Sequence, residues 1–564
     1  MTTKRKANSS LETPEFKRGT TTSVKDVQKL GMEIENEAKY NNFTILIDQL
    51  EKIISKLKFK KDANLESEGR KIVSILFKNF KILFGEGKLK KTKNQDEETK
   101  IVINWIITKN DRFKGILLEL LESKLSYETS LQLDALDTLL NILRIEASYT
   151  KVFPTKTYQS IVKVLLNGQN GVILPDGLSN SFVLLEFIES FFVKYWDLQF
   201  YFFSNLPNIL KEWKSSLAPD KLQLIYANFI TIIRNKLLFD TNEEELKSKS
   251  TWISQTYLSS IYKFNLFKSQ FQKSITTILS YPLTISQYKT TLLILHKRVI
   301  PFMSQPQGLM DFLTDLYNLQ EQNEDSSEWE DANEELDHSM IPILTLNSLY
   351  ELMKNHNLEY PDFYTKLYSL LDSNLLYTKY RSRFFRLVDL FLSSTHLSSN
   401  LVASFIKKLA RLALTASASG VVMIIPFIYN LLKRHPTCMI MLHNTNIESI
   451  NDPYNNLESN PMNTNAINSS LWELETLMNH YHPNIATLAK IFKEPFKKPN
   501  YNLEDFLDWS YIKLLETEQS RKYKVQTTAL EFEEFNSALN VKHGSANDDE
   551  DEVSKNILLE SWCM

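Results

Sequence analysis

From Phe43 onward, apolar residues recur at helical spacing in segment after segment, which predicts a chain built of amphipathic helices. Leu131, Leu133, Leu136, Leu139, Leu140 and Leu143 form one such stripe. Val402, Phe405, Ile406, Leu409, Leu412 and Ala413 form another, leaving Lys407, Lys408 and Arg411 on the opposite face. Stripes of this length predict helices of about three to five turns. The stretch from Val421 to Arg434 is apolar nearly all round, which predicts a buried helix that His435-Pro436 ends.

The interruptions are short and rich in turn formers: Phe153-Pro154, Pro175-Asp176-Gly177, Ala218-Pro219-Asp220, Tyr281-Pro282 and Tyr360-Pro361. Short breaks make successive helices antiparallel neighbours. Many helices of similar length joined by brief turns predict an all-α fold, a degenerate helical-repeat solenoid of the HEAT or armadillo kind; a compact irregular bundle is the alternative. Two acidic segments break the pattern. Glu321 to Asp337 holds nine carboxylates in 17 residues around Trp329, and Asp548 to Glu552 is a second acidic run. The expected order is a disordered basic tail over 1–40, an N-terminal helical-repeat block over 41–320 and an acidic linker over 321–339. A C-terminal helical domain over 340–535 and an acidic tail over 536–564 follow.

Composition strengthens the helical reading. Only 12 of 564 residues are glycine, about 2% against a usual share of about 7%, too few for many tight hairpins or phosphate-cradling loops. Cys438 and Cys563 are the only cysteines, so no disulfide framework is expected and a reducing compartment fits. The start lacks the features of a secretory leader, and the most apolar run, Gly420 to Leu432, is too short to span a bilayer; a soluble intracellular protein is expected.

The net charge of -3 conceals segregation: Lys52 to Lys100 carries 14 Lys/Arg against 7 Asp/Glu, whereas Val299 to Met353 has no Lys or Arg. Basic helix faces are candidates for phosphate contact with RNA, which is salt-sensitive and weakly sequence-specific, although a solvated face is the commoner cause of such a bias. Lys4, Arg5 and Lys6, followed after a spacer by Lys17 and Arg18, have the spacing of a bipartite nuclear-import signal.

Catalytic signatures are missing. No glycine pair completes a P-loop, no His is followed by Glu as a zinc-protease helix requires, and there is no CxxC. Cys438 lies between His435 and His443, residue types that could serve as a nucleophile or metal ligands. Its flanks, Met439-Ile440-Met441-Leu442, instead predict a buried structural thiol. His480 and His482 are expected to close a helix begun at Ser470, with Ser470 and Glu473 as a capping box and Pro483 stopping or restarting the chain. No catalytic, cofactor or metal site and no small-molecule substrate is expected.

Longer motifs resemble a known family. They begin with Lys408-Leu409-Ala410-Arg411-Leu412-Ala413-Leu414-Thr415-Ala416 and the run from Ile425-Pro426-Phe427 through Asn430 to Arg434-His435-Pro436-Thr437-Cys438. Asp452-Pro453-Tyr454, Leu471-Trp472-Glu473-Leu474-Glu475-Thr476-Leu477, His480-Tyr481-His482-Pro483 and Glu494-Pro495-Phe496 continue them. Tyr501-Asn502-Leu503-Glu504-Asp505-Phe506-Leu507-Asp508 and Leu530-Glu531-Phe532 close the series. Together, over about Ile341 to Phe535, they resemble the CCAAT-binding-factor/Noc family. Ser417 and Ala418 stand where the family pattern has a pair of prolines, a departure expected to lengthen the preceding helix.

The resemblance implies a nuclear, nucleolar, non-enzymatic helical-repeat protein of the small-subunit processome. It implies a stable pairing with nucleolar protein fourteen, other processome proteins as companions, and a need for the protein in small-subunit rRNA maturation. Alternatives are a large-subunit assembly factor of the same family and a helical-repeat nuclear transport adaptor. Asn430, His435, Pro436, Cys438, Trp472, Glu473, His480, Pro483 and Pro495 are expected to be structural, with Trp472 anchoring a core. Lys407, Lys408, Arg411 and Arg434 are the candidates for an exposed face that meets a partner or pre-rRNA.

Overall fold

A computed structural model describes residues 24–58, 61–85, 97–123, 128–168, 171–234, 243–254, 261–318, 332–356, 360, 362–378, 380–443 and 451–522. Among these residues every regular element is a helix, and the only β-type pairing is an isolated bridge between Ile173 and Ser179. The import candidates Lys4, Arg5, Lys6, Lys17 and Arg18, the motif Leu530-Glu531-Phe532 and the expected acidic tail lie outside the described residues. None of the described helices is long and apolar enough to cross a membrane.

The chain divides into two compact units, 1–394 and 395–564. In the first, α1 (Val24–Glu37), α2 (Asn41–Leu57), α3 (Ala63–Gly85), α4 (Glu97–Glu122), α5 (Ser130–Thr150) and α6 (Thr155–Asn167) follow one another. Here α3 packs on α1, α2 and α5, and α4 packs on α2, α5 and α6. Contacts that run to a helix two further along the chain are how stacked helical repeats bury a continuous core. Phe43, Phe80 and Phe113, from α2, α3 and α4, stack with centroids 4.6 and 5.8 Å apart and tie three helices together. The stripe on α5 is buried as expected except at Leu133, whose place is taken by Gln132, donating to the Leu120 carbonyl at 3.1 Å.

Among the described residues the α-helices that follow in this unit are α7 (Phe182–Phe187), α8 (Trp196–Ser216), α9 (Pro219–Arg234), α10 (Glu243–Ser248), α11 (Phe264–Leu279), α12 (Ile285–Arg298), α13 (Met310–Tyr317), α14 (Ala332–His356), α15 (Phe363–Ser369) and α16 (Arg381–Phe391). The breaks at Phe153-Pro154, Ala218-Pro219 and Tyr281-Pro282 separate helices as their composition predicts. Gly177, at φ +77, makes the turn before α7, and a Cβ there would meet the backbone of Gln287.

Two expected boundaries move. Residues 24–37, assigned to a disordered tail, form α1, because Val27 and Ile34 are buried where α1 packs on α2 and α3. The acidic segment 321–339 is not where the compact units part: α14 starts inside it and packs on α12 and α13, and the division falls after Ser394. Residues 319–331 lie outside the described residues.

The second unit is built on α17 (Ser399–Thr415) and α18 (Ala418–Arg434), packed together, with the short helices α19 (Trp472–Leu477), α20 (Pro483–Ala489), α21 (Glu504–Leu507) and α22 (Tyr511–Ser520). The break between α17 and α18 survives without prolines: α17 ends at Thr415 and Ser417, in extended conformation, precedes α18. Residues 418–432 of α18 are all buried, Pro426 among them, and His435-Pro436 ends the helix as its sequence predicts.

Candidate functional site

Lys407 and Arg411 stand one turn apart on α17, so their side chains rise from the same face of the helix. The sequence expectation of an exposed cationic face here is corrected. The Lys407 side chain is completely buried and that of Arg411 is 34% exposed. The cause is the loop over 451–471 and the first turn of α19 that follows it, which bring Asp452 and Glu473 onto them.

Lys407 Nζ lies 2.7 Å from Glu473 Oε1 and 3.0 Å from Asp452 Oδ2, and donates to the Ser470 carbonyl at 2.7 Å. Arg411 Nη2 donates to Asp452 Oδ2 at 2.6 Å. Arg411 Nε is 2.6 Å from Glu473 Oε1 but off the line a hydrogen bond needs, so that contact is an ion pair. Two cations thus face two carboxylates. A buried charge is tolerable only when paired and hydrogen-bonded in this way.

Asp452 is the hinge of the network. Burial opposes its ionisation, but hydrogen bonds from Ser469 Oγ, Trp472 Nε1, the Tyr454 backbone and Lys407 outweigh that cost and hold its carboxyl well below the usual carboxylate range. Ser469 donates at 2.6 Å and Trp472 at 3.1 Å. The loop satisfies its own backbone with short side chains. The Tyr454, Leu457 and Met462 amides donate to Asp452, Asn455 and Asn460, each two residues back, in the manner of Asx turns.

Trp472 is not the core anchor its size suggests; it is 40% exposed. One face of its ring covers Arg411 and Lys407, whose charged groups lie 4.8 and 5.5 Å from its centroid. The expected capping box is also absent: α19 starts at Trp472, Leu471 precedes it without a side-chain cap, and Glu473 is spent on Lys407. The helix ends at Leu477, so His480 and His482 do not close it. His480 Nδ1 accepts from the His482 amide at 3.0 Å; His482 Nδ1 accepts from the Asn484 amide, capping α20, which Pro483 opens.

A second constellation joins α18 to residues 490–501, hereafter the strap. Asn430 pairs with the Tyr501 backbone in both directions, donating to its carbonyl at 2.8 Å and accepting from its amide at 2.8 Å. Tyr429 Oη donates to the Lys498 carbonyl at 3.0 Å, and its ring stacks on Phe496, beyond Pro495, at 4.6 Å. Lys433 Nζ donates to the Phe496 carbonyl at 2.7 Å.

The remaining candidates scatter. Lys408 and Arg434 are half-buried and engaged with neighbours. Cys438 is buried, its thiol pushed up by desolvation and directed at the Ser399 carbonyl, 3.7 Å away; His435 is buried, Pro436 and His443 are exposed. Among the described residues no three His, Cys, Asp or Glu side chains group as metal ligands. Sequence reasoning missed Asp452, Tyr429 and Lys433 as organising residues. The one available signal was the place of Asp452-Pro453-Tyr454 among the ordered motifs.

Fold and site together define a class: an all-α helical-repeat protein whose C-terminal unit uses buried charge pairs to hold loops on a two-helix base. Comparison with known proteins refines this. The CBF/Mak21 family matches residues 342–489, and the family described as nucleolar complex protein 4-like, TPR repeats, matches residues 17–215. Nucleolar complex protein 4 of Saccharomyces cerevisiae is 40% identical over 93% of this chain and 96% of its own length. The nucleolar complex protein 4 homolog of Gallus gallus is 33% identical over 68% of this chain and 70% of its own. Homolog A of Xenopus laevis is 41% identical over 49% of each.

The chain belongs to the nucleolar complex protein 4 family. Nucleolar and nuclear localisation and a role in ribosome biogenesis go with that membership. The all-α helical-repeat fold expected from the sequence is borne out, and the family that matches residues 17–215 is described by its tetratricopeptide repeats.

Proposed function

We propose that the protein is a non-enzymatic structural component of the small-subunit processome, needed for small-subunit rRNA maturation and acting in a stable complex with nucleolar protein fourteen. The observation that carries this reading is the likeness to nucleolar complex protein 4 along nearly the whole chain, at 40% identity. The site's chemistry is compatible with it. The charged side chains of Lys407, Arg411, Asp452 and Glu473 are spent on one another, and the buried Cys438 thiol has its acidity suppressed rather than enhanced, the opposite of what a nucleophile requires.

Helical repeats recognise partners by laying a helix or extended segment along a preformed surface. In the C-terminal unit, the outer face of Trp472 and the exposed part of Arg411 are held in place from beneath by Asp452 and Glu473. An exposed aromatic beside an arginine is the composition of an interface hot spot. Co-expression with nucleolar protein fourteen, followed by size-exclusion chromatography, tests the pairing: co-elution at one-to-one stoichiometry is expected, and separate elution of two folded proteins would refute it.

A further inference from the structure

The strap carries Lys490, Lys493, Lys497 and Lys498 against one carboxylate, Glu494. All four lysines are exposed, and none forms an ion pair with a described residue; Lys498 alone has a ring contact, over Tyr501 at 4.8 Å. The segment is nevertheless firmly held, since Tyr429, Asn430 and Lys433 bind the carbonyls of Lys498, Tyr501 and Phe496. Lys433 and Arg434 add two cations at the end of α18, beside the clamp. The carboxylates that follow next in the chain are engaged: Asp505 accepts from the Asn502 side chain at 3.2 Å, and Glu504 and Asp508 have partners of their own.

We propose that the strap is a phosphate-binding surface for RNA. Four uncompensated ammonium groups carried close together on one clamped segment concentrate positive charge, which suits a polyanion. An acidic protein partner is the less fitting occupant, because protein interfaces centre on buried apolar or aromatic anchors, and no large apolar side chain is exposed between 483 and 510. Base reading by stacking is equally unsupported. Phe496 is stacked on Tyr429, and Tyr501 meets the same ring edge-on at 4.9 Å, so the aromatic groups of the strap are spent on the clamp. Contact is therefore with the backbone, insensitive to sequence and weakened by salt.

This inference rests on the reading of the protein as a pre-ribosomal component, and its test separates the two. Binding of the purified full-length protein to labelled oligouridylate and to a small-subunit pre-rRNA fragment is measured by fluorescence anisotropy across a salt series. The unaltered protein is compared with K490Q/K493Q/K497Q/K498Q and with the corresponding four Lys→Arg changes. The glutamine variant is expected to lose about tenfold or more in affinity, and the slope of log K against log salt should fall by about 3, at roughly 0.7 per phosphate contact. The arginine variant is expected to bind like the unaltered protein, since charge is retained. Wild-type affinity and slope in the glutamine variant, or no RNA binding by the unaltered protein, would overturn the proposal. So would retained RNA binding with selective loss of an acidic protein companion. Failure to recover small-subunit precursors from cells would refute the processome reading and leave the anisotropy result standing.

Discussion

Lys407 Nζ and Glu473 Oε1 lie 2.7 Å apart with neither side chain exposed to solvent, although 66 residues separate them in the chain. The pair closes the loop over 451–471 onto α17, and Asp452 and Arg411 complete the charge balance. Whatever Trp472 presents to a partner depends on this buried contact.

Lys407→Ala leaves the buried Glu473 and the partly exposed Asp452 facing a single cation, and removing one partner of a buried pair costs about 3–5 kcal/mol. Amide hydrogen exchange in α19 should accelerate accordingly, with exchange in the first unit unchanged. The double replacement Lys407→Met with Glu473→Leu should recover much of the loss, because apolar groups of similar volume do not need pairing. A double variant no more protected than the single one would show that the pair does not organise the loop.

Asp452 gives the loop an acid limit. Its folded-state pKa is depressed below the unfolded value, so its contribution is present above the ordinary carboxylate range and is lost as pH falls through the folded value. Protection of the loop amides should persist through pH 4 and fail only in stronger acid. In Asp452→Asn that acid step should disappear, together with part of the protection at neutral pH; an unchanged profile would contradict the assignment.

Asn430→Ala removes both hydrogen bonds to Tyr501 and leaves its part-buried backbone amide and carbonyl without these partners, at a cost of about 1 kcal/mol. Limited trypsin digestion should cut after Lys497 faster than in the unaltered protein, while sites in the first unit cut at the same rate. Equal rates after Lys497 would mean that Tyr429 and Lys433 hold the strap alone.

In the first unit, His296 on α12 is pushed down to about 4 by burial, assisted by the nearby cations Arg383 and Lys297. The unfolded chain therefore binds a proton that the folded chain refuses. Stability from this group is present above about 6.5 and is lost as pH falls toward 4. Thermal unfolding of the first unit should lose midpoint across that window, and His296→Phe should flatten the loss. A midpoint that falls equally in both proteins would place the acid sensitivity elsewhere.

The helices were legible because their cause is local. Val402, Phe405, Ile406, Leu409 and Ala413 are buried as their spacing predicts, Leu412 of the same stripe is half-buried, and residues 421–432 are buried throughout. Lys407 was misread for a physical reason. Periodicity assigns it to the polar side of α17, and only the return of Asp452 and Glu473, far along the chain, turns that side inward. Trp472 failed in the opposite sense: large aromatic area usually means core, yet here the ring roofs two cations and keeps its outer face in solvent. The α19 boundary erred because Ser470 and Glu473 fit a cap by spacing, whereas Glu473 gains more from a buried ammonium than from an exposed backbone amide. Ordered family motifs located the start of the family region, which matches over 342–489 where the motifs were traced to 535, but could not say which of their polar residues face one another.

The central claim, a structural role in the small-subunit processome, is tested most directly by affinity purification of the tagged protein from cells with sequencing of its bound RNA. Enrichment of small-subunit pre-rRNA, with nucleolar protein fourteen among the co-purified proteins, is the predicted result. Recovery of large-subunit precursors in its place, or of import carriers without rRNA, would contradict it.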